Sequence, residues 1–285
     1  MDSHTPGTTV RLLQEDWGGF RNLPRHADTF YRQTGIHIDV KLVHDIEELW
    51  KWMIASFTSD DPPFDLVGLD DLMLIQYAHV GGVESIDPYV AADGFSLDDF
   101  EPAALQALSH QGRLYGLPSC HVANLIYYRA DLFERYQIPI PQTMAELTEA
   151  AITLQAAVRA DTGEEFYGFS ARGIPRAGYI FWTMGSTWCP SWGVRWYDKD
   201  GNPTVDSPEH LAALEHYVDL LHRAGPPNPE ALDWVVNMRL FREGKVGMVM
   251  DVGNEVSALY DSGDPIAERT STMRVPAGPL GTLPM

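Results

Sequence analysis

Cysteine is nearly absent: Cys120 and Cys189 are the two thiols in 285 residues. Two thiols cannot build a disulfide framework, and their spacing fits no zinc site, so both are expected as buried thiols, with a single disulfide left open. Basic residues are scarce too, 20 Lys and Arg against 40 Asp and Glu, for a formal charge of -20. That balance repels nucleic-acid phosphates and anionic membrane surfaces, so neither is expected as a partner. No apolar run reaches the ~20 residues of a membrane span. The opening "MDSHTPGTTV" has neither the basic nor the apolar part of an export signal, which leaves a cytoplasmic location and a removed signal segment both open. Catalytic motifs are missing as well. There is no phosphate loop, no G-x-G-x-x-G after a strand, no H-E-x-x-H and no G-x-S-x-G. The ten histidines do not cluster at ligand spacing. No metal or cofactor is expected.

What is present is a core-forming chain. Apolar residues make up 45%, which excludes a disordered composition. The first 71 residues alternate strand and helix signals. "TTVRLLQEDW" reads as a strand, "LPRHADTFYRQTG" as a helix stopped by Gly35, and "IHIDVKLV" as a second strand. "DIEELWKWMIASFTS" reads as a helix that Asp45 can cap, and "PFDLVGLDD" as a short buried strand. This rhythm implies a largely parallel sheet with helices on both faces. A second α/β section follows. "TMAELTEAAITLQAAVRA" opens with a capping box, Thr143 and Glu146. "EEFYGFSAR" reads as a strand. "SPEHLAALEHYVDLLHRAG" is a helix with Leu211, Leu214, Val218 and Leu221 as its apolar stripe, and "VGMVM" is a buried strand ending at Asp251.

In open α/β sheets, ligands bind beyond the carboxyl ends of the strands. Those ends offer Asp16 and Trp17, His44 and Asp45, Asp70 and Asp71, Arg172, and Asp251. Carboxylates and arginine hydrogen-bond hydroxyls, and indole rings stack on sugar faces. The pattern suits a neutral, hydroxyl-rich ligand. Asp45 also reads as a simple helix cap. The segment "GYIFWTMGSTWCPSWGVRWYDKDG" adds Trp182, Trp188 and Trp192. Trp188 and Trp192 flank a Gly/Ser/Pro-rich break where a ring could face a cleft, and at least two of these tryptophans are expected in the core. Cys120 and His121 are neighbours, and neighbours on a strand point to opposite faces, which makes a poor nucleophile–base pair.

Six segments in order carry a resemblance: "FYRQTGIHIDV", "FDLVGLDD", "GGVESIDPYV", "GRLYGLPSCHVANLIYYRADLFERYQIPIPQTMAEL", "GVRWYDKDGNPTVDSPEHLAALEHYVDLL" and "LFREGKVGMVMDVG". Together they make the chain, from about Val10 to Pro279, resemble the extracellular solute-binding proteins of carbohydrate ABC transporters, closest in pattern to the sorbitol/mannitol binders. The resemblance implies a two-lobed α/β periplasmic-binding-protein fold of type II, and a non-enzymatic substrate-binding component. That component would bind a sugar or sugar alcohol in an interlobe cleft and deliver it to a membrane permease. Ligand contacts would fall on the strand-end residues above and on Cys120, His121 and Val122. The expected location is periplasmic, or extracellular and lipid-anchored. The expected lobes are residues 1–117 plus 261–285, and residues 118–260. Family members usually continue well past "VPAGPLGTLPM", so the fold is expected to be incomplete at the C-terminus, with exposed apolar faces that favour self-association. The polyol binders tend to carry a small polar or acidic group where Cys120, His121 and Val122 stand, so ligand preference is expected to differ there. Two other readings remain: a carbohydrate hydrolase pairing Asp16 or Asp70 with Asp251, and a shortened relative repurposed for interaction or sensing.

Overall fold

The computed structural model describes residues 7–120, 122–175, 180–253, 259–260 and 263–280. The chain divides into two units, residues 1–121 and 122–285. This differs from the lobes expected above, which returned residues 261–285 to the first.

In the first unit, β1 (Thr9–Glu15) is the middle strand of three, with β2 (His37–Val43) and β3 (Leu66–Val67) on either side. Both pairings are parallel, in a register that sets Thr9 against His37 and Leu13 against Val67. Parallel strands need crossovers, and two helices supply them. The first, α1 (Leu23–Thr34), has Pro24 in its first turn and ends at Gly35, whose φ of 75° is the left-handed stop glycine tolerates. The second is α2 (Ile46–Thr58). Leu13, Val43, Leu49 and Met53 form the buried centre, with Trp50, Trp52, Phe57 and Phe64 packed around them. Gly68 follows β3 because a Cβ there would lie 2.0 Å from the Gln14 side chain. Arg11 on β1 grips Asp65 through two side-chain hydrogen bonds of 3.1 and 2.8 Å, fixing the approach to β3. The unit continues through α3 (Asp71–His79), α4 (Asp87–Asp93) and α5 (Pro102–Ala107). A hairpin of β4 (Ser109–His110) and β5 (Arg113–Leu114) then turns through Gln111 and Gly112, both at positive φ. Coverage is thin: no residue of α1 is buried, and Phe30, Tyr31, Ile54, Leu66 and Val80 are exposed.

In the second unit, β6 (Asn124–Arg129) lies between β7 (Met248–Val252) and β8 (Thr270–Arg274), antiparallel to both. Strand β8 is why residues beyond 261 stay with this unit: they complete its sheet. Side chains alternate across β6. Ile126 faces one core, shared with α7 (Met144–Thr162) and α9 (Pro208–Ala224). Tyr127 faces the other, with Val249, Met238 and Phe241, the last two from α10 (Trp234–Arg242). The short α6 (Ala130–Arg135) follows β6, and a π-helix (Phe181–Trp188) runs into the one-turn α8 (Cys189–Ser191). The expected capping box on α7 is present, with Thr143 and Glu146 exchanging backbone bonds. "EEFYGFSAR" runs beside β7 but touches it at isolated bridges, Tyr167 to Val246 and Ser170 to Val249. It does not become a strand, because the Phe169 N–H between those points turns to the Ala224 carbonyl.

Helix α9 buries a different face from the one its leucines suggest. His210, Ala213, Tyr217, Leu220, Leu221 and Ala224 are buried, whereas Leu211, Leu214 and Val218 are exposed. Small Ala213 and Ala224 let the helix sit close to its neighbours, and the Tyr217 hydroxyl finds buried partners that leucine could not use. Beside this face His216 lies with Nε2 3.2 Å from the Thr148 hydroxyl, its ring 4.8 Å from that of Trp192. Burial, offset in part by Asp219, holds its pKa below the usual 6.5.

Two outcomes follow for stability. Leu220→Ala should cost about 2–5 kcal/mol and Leu214→Ala under about 0.5 kcal/mol in urea unfolding; equal losses would reverse the assignment of the buried face. The folded pKa of His216 lies below that of the unfolded chain, so its contribution is whole above about pH 6.5 and declines as pH falls from there through the lower folded value. His216→Gln should flatten the stability profile below that pH, and an unchanged profile would count against the assignment.

Candidate functional site

The first unit gathers polar groups at the carboxyl ends of its strands. The chain runs from β1 out to β2 and then to β3 on the other side of β1, so the loops after β1 and β3 diverge at a topological switch point. Asp16 and Trp17 follow β1, His44 and Asp45 follow β2, and Asp70 and Asp71 follow β3 and open α3. Each then has local partners. Asp16 accepts from Arg21 at 2.9 Å. The half-buried Trp17 ring meets Phe20 edge-on at 5.5 Å. His44 Nδ1 stands 3.5 Å from the Asp16 carbonyl. Asp45 caps α2, accepting the Glu48 N–H at 2.8 Å, the simple role its sequence position also allowed. Asp70 keeps surface open to water, yet burial pushes its carboxyl above the usual range and the Asp71 charge adds to the rise. Cys120, expected as a buried thiol, is exposed; partial desolvation still raises its thiol pKa, a hydrogen bond with Ser119 opposes the rise, and the charges of Asp70 and Glu15 add to it. A thiol held protonated in this way is a poor nucleophile. His121 lies outside the described residues.

In the second unit Arg172 and Asp251 find each other. Arg172 Nε lies 3.1 Å from both Asp251 oxygens and its Nη2 lies 2.5 Å from one, with the aspartate fully buried. Asp251 therefore has no surface to offer a ligand; the role its position supports is holding Arg172. The Arg172 carbonyl accepts from the Tyr217 hydroxyl at 2.7 Å, and that hydroxyl lies 2.9 Å from Thr183 Oγ1 on the π-helix. A buried polar chain thus ties β7, through α9, to the π-helix.

The tryptophans divide in the reverse of their sequence expectation. Trp188 is fully buried and Trp192 is 8% exposed, their rings stacked 5.7 Å apart in the core. The Pro-containing α8 follows the π-helix directly and turns both rings inward. Half-buried Trp182, in the segment read as the more helical part, lines a pocket with Val122, Ala123, Asn124, Ser186, Thr187 and Val252. Of the expected contacts, this pocket brings together Val122 and Trp182. Asn124, Ser186 and Thr187 were not among them. Their signal was faint: an asparagine opening an otherwise apolar strand, and "GST" interrupting an aromatic run. The pocket's lining includes a tryptophan, an asparagine, a serine and a threonine and no charged residue.

Removing one member of the buried ion pair is the sharper test of its role. Asp251→Ala should cost about 3–5 kcal/mol in chemical denaturation, because it removes a fully buried carboxylate that Arg172 holds through Nε and Nη2. Adding Arg172→Met should recover most of that loss, and an equally unstable double variant would argue against the pairing.

The comparisons agree with this architecture. Residues 8–282 match the model of the bacterial extracellular solute-binding protein family. A mannitol-binding protein of Pseudomonas aeruginosa is 34% identical over 169 residues, covering 59% of this chain and 37% of that protein. An ABC transporter solute-binding protein of Agrobacterium vitis, solved with D-mannitol bound, superposes with a TM-score of 0.81 at 24% identity, over 97% of this chain and 66% of that one. A second, from Agrobacterium radiobacter in complex with ribitol, gives a TM-score of 0.82 at 25% identity, over 97% and 68%. The chain thus spans from about a third to two thirds of the length of these relatives. With its two α/β units and a family match over nearly its whole length, the chain belongs to the bacterial extracellular solute-binding proteins and has their type II periplasmic-binding-protein fold.

Proposed function

We propose that this chain binds a sugar or sugar alcohol as the solute-binding component of an ABC importer and hands it to a membrane permease. The observation that carries the reading is the uncharged pocket of the second unit, where Trp182 stands with Asn124, Ser186 and Thr187. An indole face stacks on the C–H side of a polyol, while short hydroxyl groups such as that of Ser186 exchange hydrogen bonds with its hydroxyls. The carboxylates of Asp70 and Asp71 after β3 in the first unit are acceptors of the same kind. Family membership supports delivery to a permease and a location outside the cytoplasmic membrane. A relative named as a mannitol-binding protein and neighbours solved with mannitol and ribitol support a polyol as one such solute. The hydrolase reading needed Asp251 as a cleft acid. A fully buried carboxylate bound to Arg172 cannot protonate or attack a glycosidic bond.

A melting panel with D-mannitol, ribitol, maltose and a sugar-free control tests the reading. A solute at 100 times its Kd adds about 2.7 kcal/mol to folding stability, so the matching solute should raise the melting temperature by several degrees. Trp182→Ala should abolish that rise while the protein without solute still unfolds cooperatively. No rise with any member of the panel would overturn the proposal.

A further inference from the structure

The three polar or aromatic side chains that the π-helix gives the pocket are Trp182, Ser186 and Thr187. They sit at i, i+4 and i+5. In an α-helix of 3.6 residues per turn, residues five apart point about 140° away from one another. Trp182 and Thr187 could not then line one pocket. In the π-helix the turn is wider, and residues i+4 and i+5 straddle the position above residue i. The π register is therefore what assembles this wall, closed at its end by the Cys189 N–H bonding to the Met184 carbonyl five residues back. Gly185 permits it: a Cβ there would lie 2.4 Å from the Phe181 ring.

A π-helix of eight residues is long for a form that usually occurs as a single-turn bulge, so something must hold it. Asn124, at the start of β6, does so. Its Nδ2 reaches the Trp182 carbonyl, the Thr187 hydroxyl at 2.5 Å and the Ser186 hydroxyl at 3.2 Å. One side chain thus contacts all three residues whose spacing defines the register. Ser186 Oγ also donates to the Trp182 carbonyl at 2.7 Å. The Asn124 Oδ1 is buried with no hydrogen-bond partner among the described residues. A stranded acceptor lowers stability, so this amide favours the local geometry more than it favours folding. Thr183, bonded to Tyr217, anchors the helix from its other side.

We propose that Asn124 is a positioning residue that latches residues 181–188 in the π register and thereby sets the solute selectivity of the pocket. The selectivity half rests on the polyol-binding reading above; the latch does not. Without the amide, the segment relaxes toward α-helical spacing, Thr187 turns away from Trp182, and the wall keeps only the Ser186 hydroxyl.

Asn124→Leu keeps the branched skeleton of the side chain, removes the donor and also removes the stranded acceptor, so the variant should still unfold cooperatively. Asn124→Ala gives a second variant of different volume. Amide hydrogen exchange without any solute reads the latch. Residues 183–189 should exchange about tenfold faster in both variants, with α7 and α9 unchanged. Calorimetric titration with D-mannitol and with maltose reads selectivity: the ratio of the two dissociation constants should change about tenfold, which a loss of general stability would not produce. Exchange at 183–189 equal to wild type would overturn the latch. Faster exchange with an unchanged ratio would overturn its link to selectivity. Should the wild-type protein bind neither solute, the polyol reading and the selectivity that rests on it fall together, and the exchange result still decides the latch.

Discussion

Asp251 has no contact with water, and a carboxylate in that position must be paired or its charge becomes prohibitively costly. Arg172 supplies the pair in a bidentate arrangement, and much of the second unit is arranged around keeping it there. The Arg172 carbonyl receives Tyr217 from α9, and Tyr217 meets Thr183 on the π-helix. The face of α9 that turns inward is the one bearing this tyrosine with Leu220 and Leu221, not the one bearing Leu211, Leu214 and Val218. The pair is worth less as net stability than as a constraint, since a buried ion pair against a well-packed apolar alternative often breaks even. What it fixes is the position of an irregular helix against a regular sheet.

That irregular helix connects architecture to recognition. Asn124 on β6 and Thr183 through Tyr217 hold it from opposite sides, and Trp182, Ser186 and Thr187 face the same pocket because its turn is wide. The first unit contributes by different means. A parallel sheet with β1 at its centre opens a switch point where Asp16 and Asp70 follow neighbouring strands, an arrangement any doubly wound sheet provides. The uncharged hydrogen-bonding residues that line the second unit's pocket are of the kind that suits a neutral polyhydroxylated solute.

The parts legible in the sequence were those governed by local rules. The strand–helix alternation through Asp71 gave the parallel sheet. Asp45, and Thr143 with Glu146, each cap the helix assigned to them. The six-segment resemblance led to the right family. What stayed illegible depends on contacts between distant residues. Of the apolar stripe read on α9, Leu221 is buried while Leu211, Leu214 and Val218 are exposed, because hydrophobicity cannot register a tyrosine's need for a buried acceptor. The tail joined the second unit because β8 pairs with β6, and nothing local in "TSTMR" names its partner. Trp188 and Trp192 looked available beside a Gly/Ser/Pro break, but the helix turns them into the core. The π-helix matched neither the 3.6-residue nor the 2-residue period, so the pocket wall was invisible apart from its indole.

The central claim is that Trp182, and not its buried neighbours, meets the solute. Fluorine NMR of protein grown with 5-fluorotryptophan, with Trp182, Trp188 and Trp192 assigned by single Trp→Phe variants, tests it directly. Titration with D-mannitol should move the Trp182 resonance to saturation and leave those of Trp188 and Trp192 within their linewidths. Movement confined to Trp188 and Trp192, or a Trp182 signal indifferent to every polyol tried, would contradict the account.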